Sequence, residues 1–564
     1  MKKKWEYYEI NQKEKEELKK EYNIDDLLAI VLVNRGIKKE EIRKFLEPTR
    51  NDFYNPYEMP DMEKAVERIL KSIENKEKII IYGDYDVDGI TSITVLESFL
   101  KERGLEVNHY IPNRLNEGYG LNKNAIEQIA KENYDLMITV DCGITGIEEI
   151  KYAKELGIET IVTDHHEPGE TIPEAIGVID CKRKDNKYPF RELAGVGVVF
   201  KLCQAIGMKL GLEQKEYLKY LDIVAIGTIS DIVPLVDENR VITKLGMKLV
   251  QCTRNSGLKA LINLSGYNKI DSNTISFGVA PRINACGRMG VADEALELLL
   301  SENIEDAIEK SKNIMKYNNK RQEYEKKIFL QAVEQIKEQH LENSNSIVLG
   351  GDGWHHGVIG IVASKITELY YKPCILICFE DGNDIGKGSG RSIKGFDLYK
   401  SLTKCKDIIA GFGGHSMAIG ISVEKEKFKE LQNVFEEIAR KAAISELCPI
   451  IKIDAILNID DVTKEMVQSL IQLEPLGEAN QMPIFSFKNL KINSIRALTD
   501  GKHLKLSLKS DKNTLIDAIG FNLGELSKQY VIGDKVDVIG NLEFNSFNGV
   551  EKLQINLKDM MKTV

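Results

Sequence analysis

A short stretch near residue 80 places three like charges directly after a segment that has the composition of a buried strand. Residues 79–91 read IIIYGDYDVDGIT, an apolar run followed by Asp84, Asp86 and Asp88 at alternate positions and then a glycine. Carboxylates held this close together repel one another unless a cation lies between them. The stretch therefore predicts a strand that ends at a metal site.

Similar chemistry follows three further apolar runs. LMITV leads into Asp141, and TIVT leads into Asp164, His165 and His166. LDIVAIGTIS, which we interpret as a fourth strand, leads into Asp231. Parallel α/β sheets bind ligands at the carboxyl ends of their strands. We therefore expect these acids and imidazoles to meet at one edge of a sheet.

The donor types narrow the choice of metal. Carboxylate oxygens suit Mg²⁺, and added imidazole moves the preference toward Mn²⁺ or Zn²⁺. The candidate ligands are too many for one ion and suit a pair, an arrangement typical of in-line attack on phosphorus. Single aspartates after strands are usually caps or turn residues. A calcium-binding loop is excluded because the glutamate expected at the twelfth position from Asp84 is replaced by Val95.

The order of the segments predicts an α/β fold class with several domains. We expect an N-terminal helical appendage at residues 1–55, an α/β domain with a parallel sheet at 56–300, and a second α/β domain at 341–445. Residues 301–340 lack glycine and proline and predict a long connecting helix. Residues 446–564 alternate in hydropathy and have turn signals at 500–501 and 548–549, which predicts an OB-type β-barrel.

Composition excludes several classes of protein. The 564 residues contain no apolar run of the roughly 20 residues that span a bilayer. The basic N-terminus lacks the apolar segment of a signal peptide, and the nine cysteines form no CxxC pair. We therefore expect a cytoplasmic protein with no membrane partner. The net charge of −10 counts against broad non-specific binding to nucleic acid, but it does not exclude a local basic groove.

These motifs also carry a family resemblance. TDHH, with DxDxDG and VDCG upstream, resembles the DHH phosphoesterase superfamily. SDIVPL at 230–235 and FGVAPRINACGRMG at 277–290 are similar to the RecJ family of single-strand-specific 5′→3′ exonucleases. GGDGWHHGVIGIVASKI, GKGSGRS and GFGGHSMAIG resemble that family's DHHA1-type domain, and the last segment resembles its nucleic-acid-binding barrel. One departure is Tyr82, where the family often has a histidine that would be a further ligand.

The resemblance implies roles for the residues at the strand ends. Asp141 would bridge two Mn²⁺ or Mg²⁺ ions, and His166 would orient a ligand or contact the scissile phosphate. Asp164 would not bind metal itself but would fix the tautomer of an imidazole. Asp141, His165 and His166 are thus the expected catalytic residues, and the expected metal ligands are Asp84, Asp86, Asp88, Asp141, His165 and Asp231.

Substrate contacts are expected from three basic segments. Arg282, Asn284 and Arg288 would contact phosphate from a loop punctuated by glycine and proline, although surface arginines on a turn are the alternative. By the resemblance, Ser389 and Arg391 in GKGSGRS would hold a 5′-terminal phosphate together with Arg114. The glycines of that motif would let the backbone approach the anion.

Three histidines and several aromatic residues are further candidates. His415 would contact a nucleotide or order a glycine turn, and His355 and His356 would contact substrate or be ordinary loop residues. Aromatic residues of the barrel could stack on bases, although core packing explains most aromatics in a small barrel. The candidates are Phe485, Phe487, Phe544 and Phe547.

The resemblance and the chemistry together predict a metal-dependent exonuclease. It would degrade single-stranded DNA from 5′ ends to mononucleotides, in DNA repair and recombination. We expect a monomer, with a single-strand-binding protein and a helicase as partners. The alternatives are a DHH phosphodiesterase acting on short oligonucleotides or other small phosphoesters, and a non-catalytic scaffold at replication forks.

Overall fold

The structure is a computed structural model that describes residues 3–267, 269–380, 382–444, 447–547 and 550–563. The chain divides into two compact units. One unit is residues 49–447, and the other combines residues 1–48 with residues 448–564. Among the described helices, none is both long and apolar enough to cross a membrane.

The helices are distributed along the whole chain. They are α1 Gln12–Tyr22, α2 Asp26–Asn34, α3 Ile42–Leu46, α4 Met62–Asn75, α5 Val87–Lys101, α6 Lys123–Lys131, α7 Ile147–Glu155, α8 Gly195–Lys209, α9 Lys215–Leu218, α10 Leu221–Ser230, α11 Asp237–Val250, α12 Ser256–Ser265, α13 Ala280–Arg288, α14 Ala292–Leu300, α15 Ile304–Glu338, α16 His356–Tyr370, α17 Leu398–Thr403, α18 Phe428–Lys441 and α19 Lys464–Ser469. A π-helical turn, Thr274–Val279, precedes α13.

The strands form four sheets. They are β1 Lys4–Tyr7, β2 Lys78–Gly83, β3 Glu106–Tyr110, β4 Leu136–Val140, β5 Glu159–Thr163, β6 Gly177–Ile179, β7 Ile347–Asp352, β8 Cys374–Phe379, β9 Ile385–Arg391, β10 Gly411–Gly414, β11 Ala418–Glu424, β12 Ile450–Ile453, β13 Ala455–Leu457, β14 Phe485–Leu498, β15 His503–Lys509, β16 Leu515–Gly520, β17 Lys535–Phe547 and β18 Val550–Lys562.

The first α/β sheet has the order β3-β2-β4-β5-β6, and all its pairings are parallel. Strands β2 and β4 are buried almost throughout because helices cover both faces, which is why they read as continuous apolar runs. Parallel strands end at the same edge, and the loops after β2, β4 and β5 therefore lie side by side. The parallel-sheet prediction is confirmed.

The fourth predicted strand is wrong. LDIVAIGTIS forms helix α10, and Asp231 is its C-cap residue. Residues 221–229 are all buried, so the helix is apolar on every side and shows no amphipathic period. A short run of this kind cannot be assigned to helix or strand by periodicity, and its length of ten residues favours the helix.

The second α/β sheet has the order β10-β11-β9-β8-β7. The β7–β8 pair is parallel, and the pairings among β8, β9, β11 and β10 are antiparallel. Helix α15 runs through 35 residues between the two sheets, and its buried residues recur every three or four positions from Ala307 to Ile336. The predicted pair of α/β domains joined by a long helix is thus confirmed.

The other unit is built around a closed five-stranded barrel. The strands follow the order β14-β15-β16-β18-β17, and β17 pairs with β14 to close it. The helical appendage was expected at residues 1–55, and residues 1–48 of it belong to this unit. Strand β1 pairs in parallel with β12, and Leu27, Leu28 and Phe45 lie in the same hydrophobic core as the barrel strands.

The barrel aromatics proposed for stacking mostly serve the core. Phe485 and Phe487 are fully buried, and Phe544 packs against the same core. The side chain of Phe547 and the turn at 548–549 lie outside the described part of the chain. Core packing is therefore the role that the structure gives to Phe485 and Phe487.

Candidate active site

The acidic and imidazole side chains are delivered to one place by three strands and two helices. Asp84 directly follows β2, Asp141 follows β4, and His165 lies two residues beyond β5. Asp86 is the N-cap of α5, where its Oδ1 accepts hydrogen bonds from the backbone N–H groups of Asp88 and Gly89. Asp231 enters from the end of α10.

His165 lies among three carboxylates. Its Nε2 is 3.1 Å from Oδ1 of Asp141 and 3.7 Å from both Oδ2 of Asp88 and Oδ2 of Asp231. Among the described residues, three groups of side chains each bring one ligand atom per residue within 4.8 Å of one another. The groups are Asp141 with His165 and His166, Asp88 with His165 and Asp231, and Asp84 with Asp86 and Asp141. Asp141 and His165 each belong to two groups.

Several donor atoms of this cluster are buried and have no hydrogen-bond partner among the described residues. The atoms are Oδ1 of Asp84, Oδ1 of Asp141, both ring nitrogens of His165 and Oδ2 of Asp231. Buried polar atoms are nearly always paired, so such a concentration needs an explanation. Mixed oxygen and nitrogen donors fit Mn²⁺, and the oxygen-rich side of the cluster fits Mg²⁺. The residues present therefore suit a pair of divalent cations.

The protonation states reflect the same crowding. Burial and the neighbouring carboxylates raise the pKa of Asp84, Asp141 and Asp231 well above the usual range, and burial and Asp86 raise the pKa of Asp88 to about 7. Burial, with a smaller contribution from His166, lowers the pKa of His165 to about 3, so this imidazole is neutral and can act as a ligand. Divalent cations would reverse the cost of ionising these carboxyls.

Asp88 is held by the start of α8. The backbone N–H of Gly195 donates to its Oδ2 at 2.6 Å, and the N–H of Val196 donates to its Oδ1 at 2.8 Å. Free N–H groups and the helix dipole make a helix N-terminus a favourable place for an anion. A Cβ atom on Gly195 would lie 2.7 Å from Oδ1 of Asp141, so only glycine fits between α8 and this aspartate.

Asp164 and His166 form a pair beside the cluster. Oδ1 of Asp164 lies 2.7 Å from Nδ1 of His166, and its Oδ2 accepts the backbone N–H of Ile144. Burial opposes ionisation of His166, but the hydrogen bond to Asp164 prevails and raises the pKa of His166 to about 9. The contact with Asp164 therefore favours the protonated, imidazolium form of His166. The hydroxyl of Tyr119 lies 3.2 Å from Nδ1 of His166.

Tyr82 takes no part in the cluster. The residue is fully buried, its ring stacks on Tyr110 with 5.2 Å between centroids, and its hydroxyl donates to the carbonyl of Gly120. Tyr82 and Ile80 pack on one face of β2, whereas Ile79 and Ile81 pack with α5 on the opposite face.

Three of the arginines expected to bind phosphate lie close together. Burial, together with the positive charges of Arg114, Arg321 and Arg391 within electrostatic range, lowers the pKa of Arg288 to about 9. One guanidinium N–H of Arg288 donates to the carbonyl of Gly357, which joins the end of α13 to the start of α16. The Arg114 guanidinium lies 5.0 Å from the centre of the Tyr85 ring. Such a concentration of positive charge is suited to a phosphate.

The predicted loop around Arg282 is wrong. Residues 280–288 form helix α13, and Pro281 does not interrupt it since it stands in the first turn, where proline is tolerated. Arg282 donates to the carbonyl of Gly278 and to the sulfur of Met315, and so is engaged away from the other arginines. Asn284 is half-buried on the same helix.

GKGSGRS forms strand β9, and its glycines serve packing. Cβ atoms on Gly386, Gly388 and Gly390 would collide with core side chains such as Phe379 and Ile419, so these glycines make room for the core, and the approach of the backbone to an anion stays a prediction. Ser389 and Arg391 alternate with the glycines and share the opposite face. Arg391 donates to the hydroxyl of Ser389 at 2.9 Å.

The histidines differ in their surroundings. His355 is the N-cap of α16, and its ring lies 5.0 Å from that of Tyr324. Burial and the neighbouring Arg114 lower the pKa of His356 to about 4, and its Nδ1 has no hydrogen-bond partner in the part of the chain that the structure describes. His415 is exposed in the turn between β10 and β11, where its Nδ1 accepts the backbone N–H of Met417.

Sequence reasoning missed Tyr119, Tyr85 and the N–H groups at the start of α8. Tyr119 stands between two glycines, a sequence pattern typical of a turn. In the structure both glycines have a φ of 84°. The glycine pair in AGVGVV signals close approach at the start of α8. Nothing in the sequence connects that helix to Asp88, which lies 107 residues earlier.

Three family models match the chain in succession. Residues 78–228 match the N-terminal domain of the DHH family, residues 343–441 match the DHHA1 domain, and residues 453–559 match the RecJ OB domain. The last match identifies the closed barrel as an OB domain, as predicted. The first two matches coincide with the two α/β sheets.

Individual relatives cover the chain almost from end to end. The chain is 40% identical over 560 residues to the single-stranded-DNA-specific exonuclease RecJ of Bacillus subtilis, a match that covers 98% of this chain and 70% of that protein. It is 31% identical to RecJ of Escherichia coli, with 94% of each chain covered.

Solved structures agree with these matches. A crystal structure of RecJ from Thermus thermophilus in complex with Mn²⁺ matches with a TM-score of 0.87 at 28% identity, covering 100% of this chain and 80% of that one. A second structure from the same organism, in complex with Mg²⁺, matches with a TM-score of 0.80 at 25% identity and covers 79% of that chain. With its metal-binding cluster, paired α/β domains and OB barrel, the chain belongs to the RecJ family of single-stranded-DNA-specific exonucleases.

Proposed function

We propose that this protein is a metal-dependent exonuclease that degrades single-stranded DNA from the 5′ end and releases 5′-mononucleotides. The observation that carries the proposal is the convergence of unpaired carboxylates and a neutral imidazole at one sheet edge. Asp84, Asp86, Asp88, Asp141, His165 and Asp231 would hold two Mn²⁺ or Mg²⁺ ions. When bound, such a pair of ions activates a water for in-line attack and neutralises charge on the scissile phosphate.

The protein's own residues supply positioning and charge. Asp88 is fixed by the start of α8, which sets the orientation of its two oxygens. Protonated His166, held by Asp164, would donate a hydrogen bond to a phosphate oxygen. Fixed donors aimed at developing charge need no reorganisation during the reaction. Tyr119 is half-exposed beside His166 and would limit how the strand enters.

The arginine cluster supports a 5′-end preference. Arg114, Arg288 and Arg391 are mutually close and, together with Ser389, would hold a terminal phosphate. A phosphate fixed there and metals fixed at the sheet edge would set a constant length of product. The OB barrel favours a polymeric substrate over a small phosphoester, because such barrels bind single strands through stacking and backbone charge.

A direct assay tests this function. A single-stranded DNA oligonucleotide, a blunt duplex of the same sequence and a matched RNA are incubated with Mn²⁺, Mg²⁺ or EDTA, each labelled at either end in separate reactions. We expect mononucleotides from the 5′ end of the single-stranded DNA, an intact duplex and no product with EDTA. Cleavage of very short oligomers only would instead indicate the small-substrate phosphodiesterase. Binding without cleavage would indicate the scaffold.

Arg391→Ala is expected to weaken the preference for 5′-phosphorylated ends. The guanidinium is largely buried beside Arg114, and losing a charged hydrogen bond to phosphate costs about 1.5–3 kcal/mol, a preference change of roughly tenfold or more. The measurement compares initial rates on 5′-phosphate and 5′-hydroxyl oligonucleotides. Arg282→Ala is the matched control, since Arg282 contacts Gly278 and Met315. An equal loss of preference in both variants would remove Arg391 from the pocket.

The remaining expectations complete the proposal. A role in DNA repair and recombination follows from the substrate class. Action as a cytoplasmic monomer, together with a single-strand-binding protein and a helicase, stays a prediction from the sequence resemblance.

A further inference from the structure

Ile232 is an exposed apolar residue directly beside the metal-binding cluster. It follows Asp231, whose Oδ2 lies 3.7 Å from Nε2 of His165. Its side chain is 70% exposed, while Val233 packs against the core and Leu235 lies inside it. The chain thus turns this one isoleucine outward between a candidate ligand and a buried segment.

The backbone at Ile232 is in an unfavourable conformation. Its φ is +63°, in the left-handed region that β-branched residues rarely adopt because Cβ crowds the following carbonyl. Asp141, in the same cluster, also has a positive φ, of 57°. Strained residues persist where the surrounding structure imposes them, and they concentrate at active sites and ligand clamps. Core packing does not explain the isoleucine, because Ile232 is mostly exposed and is not among the described residues of the core.

We propose that Ile232 contacts the sugar of the nucleotide at the cleavage site and favours deoxyribose over ribose. The proposal rests on the proposed function, since it concerns the substrate of the same site. Consecutive Cα atoms are 3.8 Å apart, so the side chain after Asp231 lies within reach of groups attached to a phosphate bound at the cluster. The sugars are the groups covalently attached to that phosphate.

The chemistry of the side chain sets the direction of the preference. An isoleucine packs against the CH₂ group at C2′ of deoxyribose. It offers no hydrogen-bond partner to a 2′-hydroxyl, which would lose water on contact. A 2′-hydroxyl is the feature that separates RNA from DNA at a given site. Ile232 is therefore a specificity-determining residue that acts by contact with substrate.

The test uses Ile232→Gly and Ile232→Asn in the full-length protein. Both residues accept positive φ, and asparagine can also bond a 2′-hydroxyl. Initial rates are measured with Mn²⁺ on a single-stranded DNA, a matched RNA, and the DNA with one internal ribonucleotide. We expect the ratio of DNA to RNA cleavage to fall at least about fivefold in both variants, since a contact of this size is worth tenfold or more in discrimination.

Two further measurements separate contact from structure. We expect Tm of Ile232→Gly to be unchanged or higher, and the Mn²⁺-induced rise in Tm to equal that of the wild type. His340→Gly is the control, because His340 also has positive φ, of 54°, and is 82% exposed away from the cluster. Its DNA-to-RNA ratio should stay that of the wild type.

Each contrary outcome has a distinct meaning. An unchanged DNA-to-RNA ratio in both Ile232 variants, while the wild type cuts single-stranded DNA, overturns the sugar contact alone. A lower Tm or a lost Mn²⁺ response shows that Ile232 supports the fold or places Asp231, and also overturns the proposal. A wild type that leaves single-stranded DNA intact contradicts the proposed function and the Ile232 contact with it.

Discussion

Asp141→Asn is expected to reduce cleavage of single-stranded DNA more than about a hundredfold and to leave strand binding largely intact. Substituting a residue that only supports a metal ligand typically lowers metal affinity or activity about 10–100-fold. Asp141 belongs to two of the three ligand groups, so a larger loss is expected. Asparagine is a better probe than alanine because Asp141 has a φ of 57°, which asparagine tolerates. Rates with Mn²⁺ and binding with Ca²⁺ are the measurements.

Thermal unfolding gives this prediction a second readout. Burial and neighbouring carboxylates raise the pKa of Asp141, so without metal its charge is costly. The neutral amide should therefore unfold at an equal or higher temperature than the wild type in EDTA. Added Mn²⁺ should stabilise the wild type and stabilise the variant much less, because ligands that bind only the folded state raise its stability.

Asp180→Asn is the matched control for Asp141→Asn. Asp180 directly follows β6, is fully buried, and has a pKa raised to about 7 by burial, but it belongs to none of the ligand groups. It should keep both cleavage and the Mn²⁺-induced stabilisation. If Asp141→Asn cut DNA as well as Asp180→Asn does, the assignment of two metals to this cluster would be wrong.

The sequence predicted the metal cluster because its signals are local. Each of Asp84, Asp141 and His165 follows an apolar run that forms a strand, and parallel strands bring such residues together without further information. The sequence also predicts that Asp231 joins this cluster, but it predicts a strand before Asp231 where the structure has a helix. Its apolar run is helix α10, and the helix end brings the carboxylate to the same point.

The remaining features depend on packing between distant segments. The glycines of β9 looked like an anion loop, yet Gly386 and Gly388 make room for Phe379 and Ile377. Arg282 and Arg288 stand on one short helix, but only Arg288 turns toward the other arginines. Side-chain direction on a helix follows from its neighbours, which a single sequence does not specify.

Gly195 provides the sharpest test of how packing supports the site. An alanine Cβ there would lie 2.7–2.9 Å from three atoms of Asp141, closer than real contacts allow. Either Asp141 or the start of α8 must move, and moving α8 breaks the hydrogen bond from the Gly195 N–H to Asp88. We expect Gly195→Ala to lower the rate of cleavage by about 10–100-fold, a loss typical of substituting residues that hold metal ligands in place.

Gly197→Ala, two residues along the same helix, separates this effect from a general response to substitution. Its Cβ would meet Leu193 and Ile242 at 3.4–3.8 Å, which is ordinary contact. Alanine is favoured over glycine within a helix by roughly 0.5–1 kcal/mol, so this variant should gain stability and keep full activity. The measurements are initial rates across a Mn²⁺ titration, in which Gly195→Ala should need more metal, and Tm for both variants. Equal rates and equal metal requirements in the two variants would show that the contact between α8 and Asp141 does not control the site.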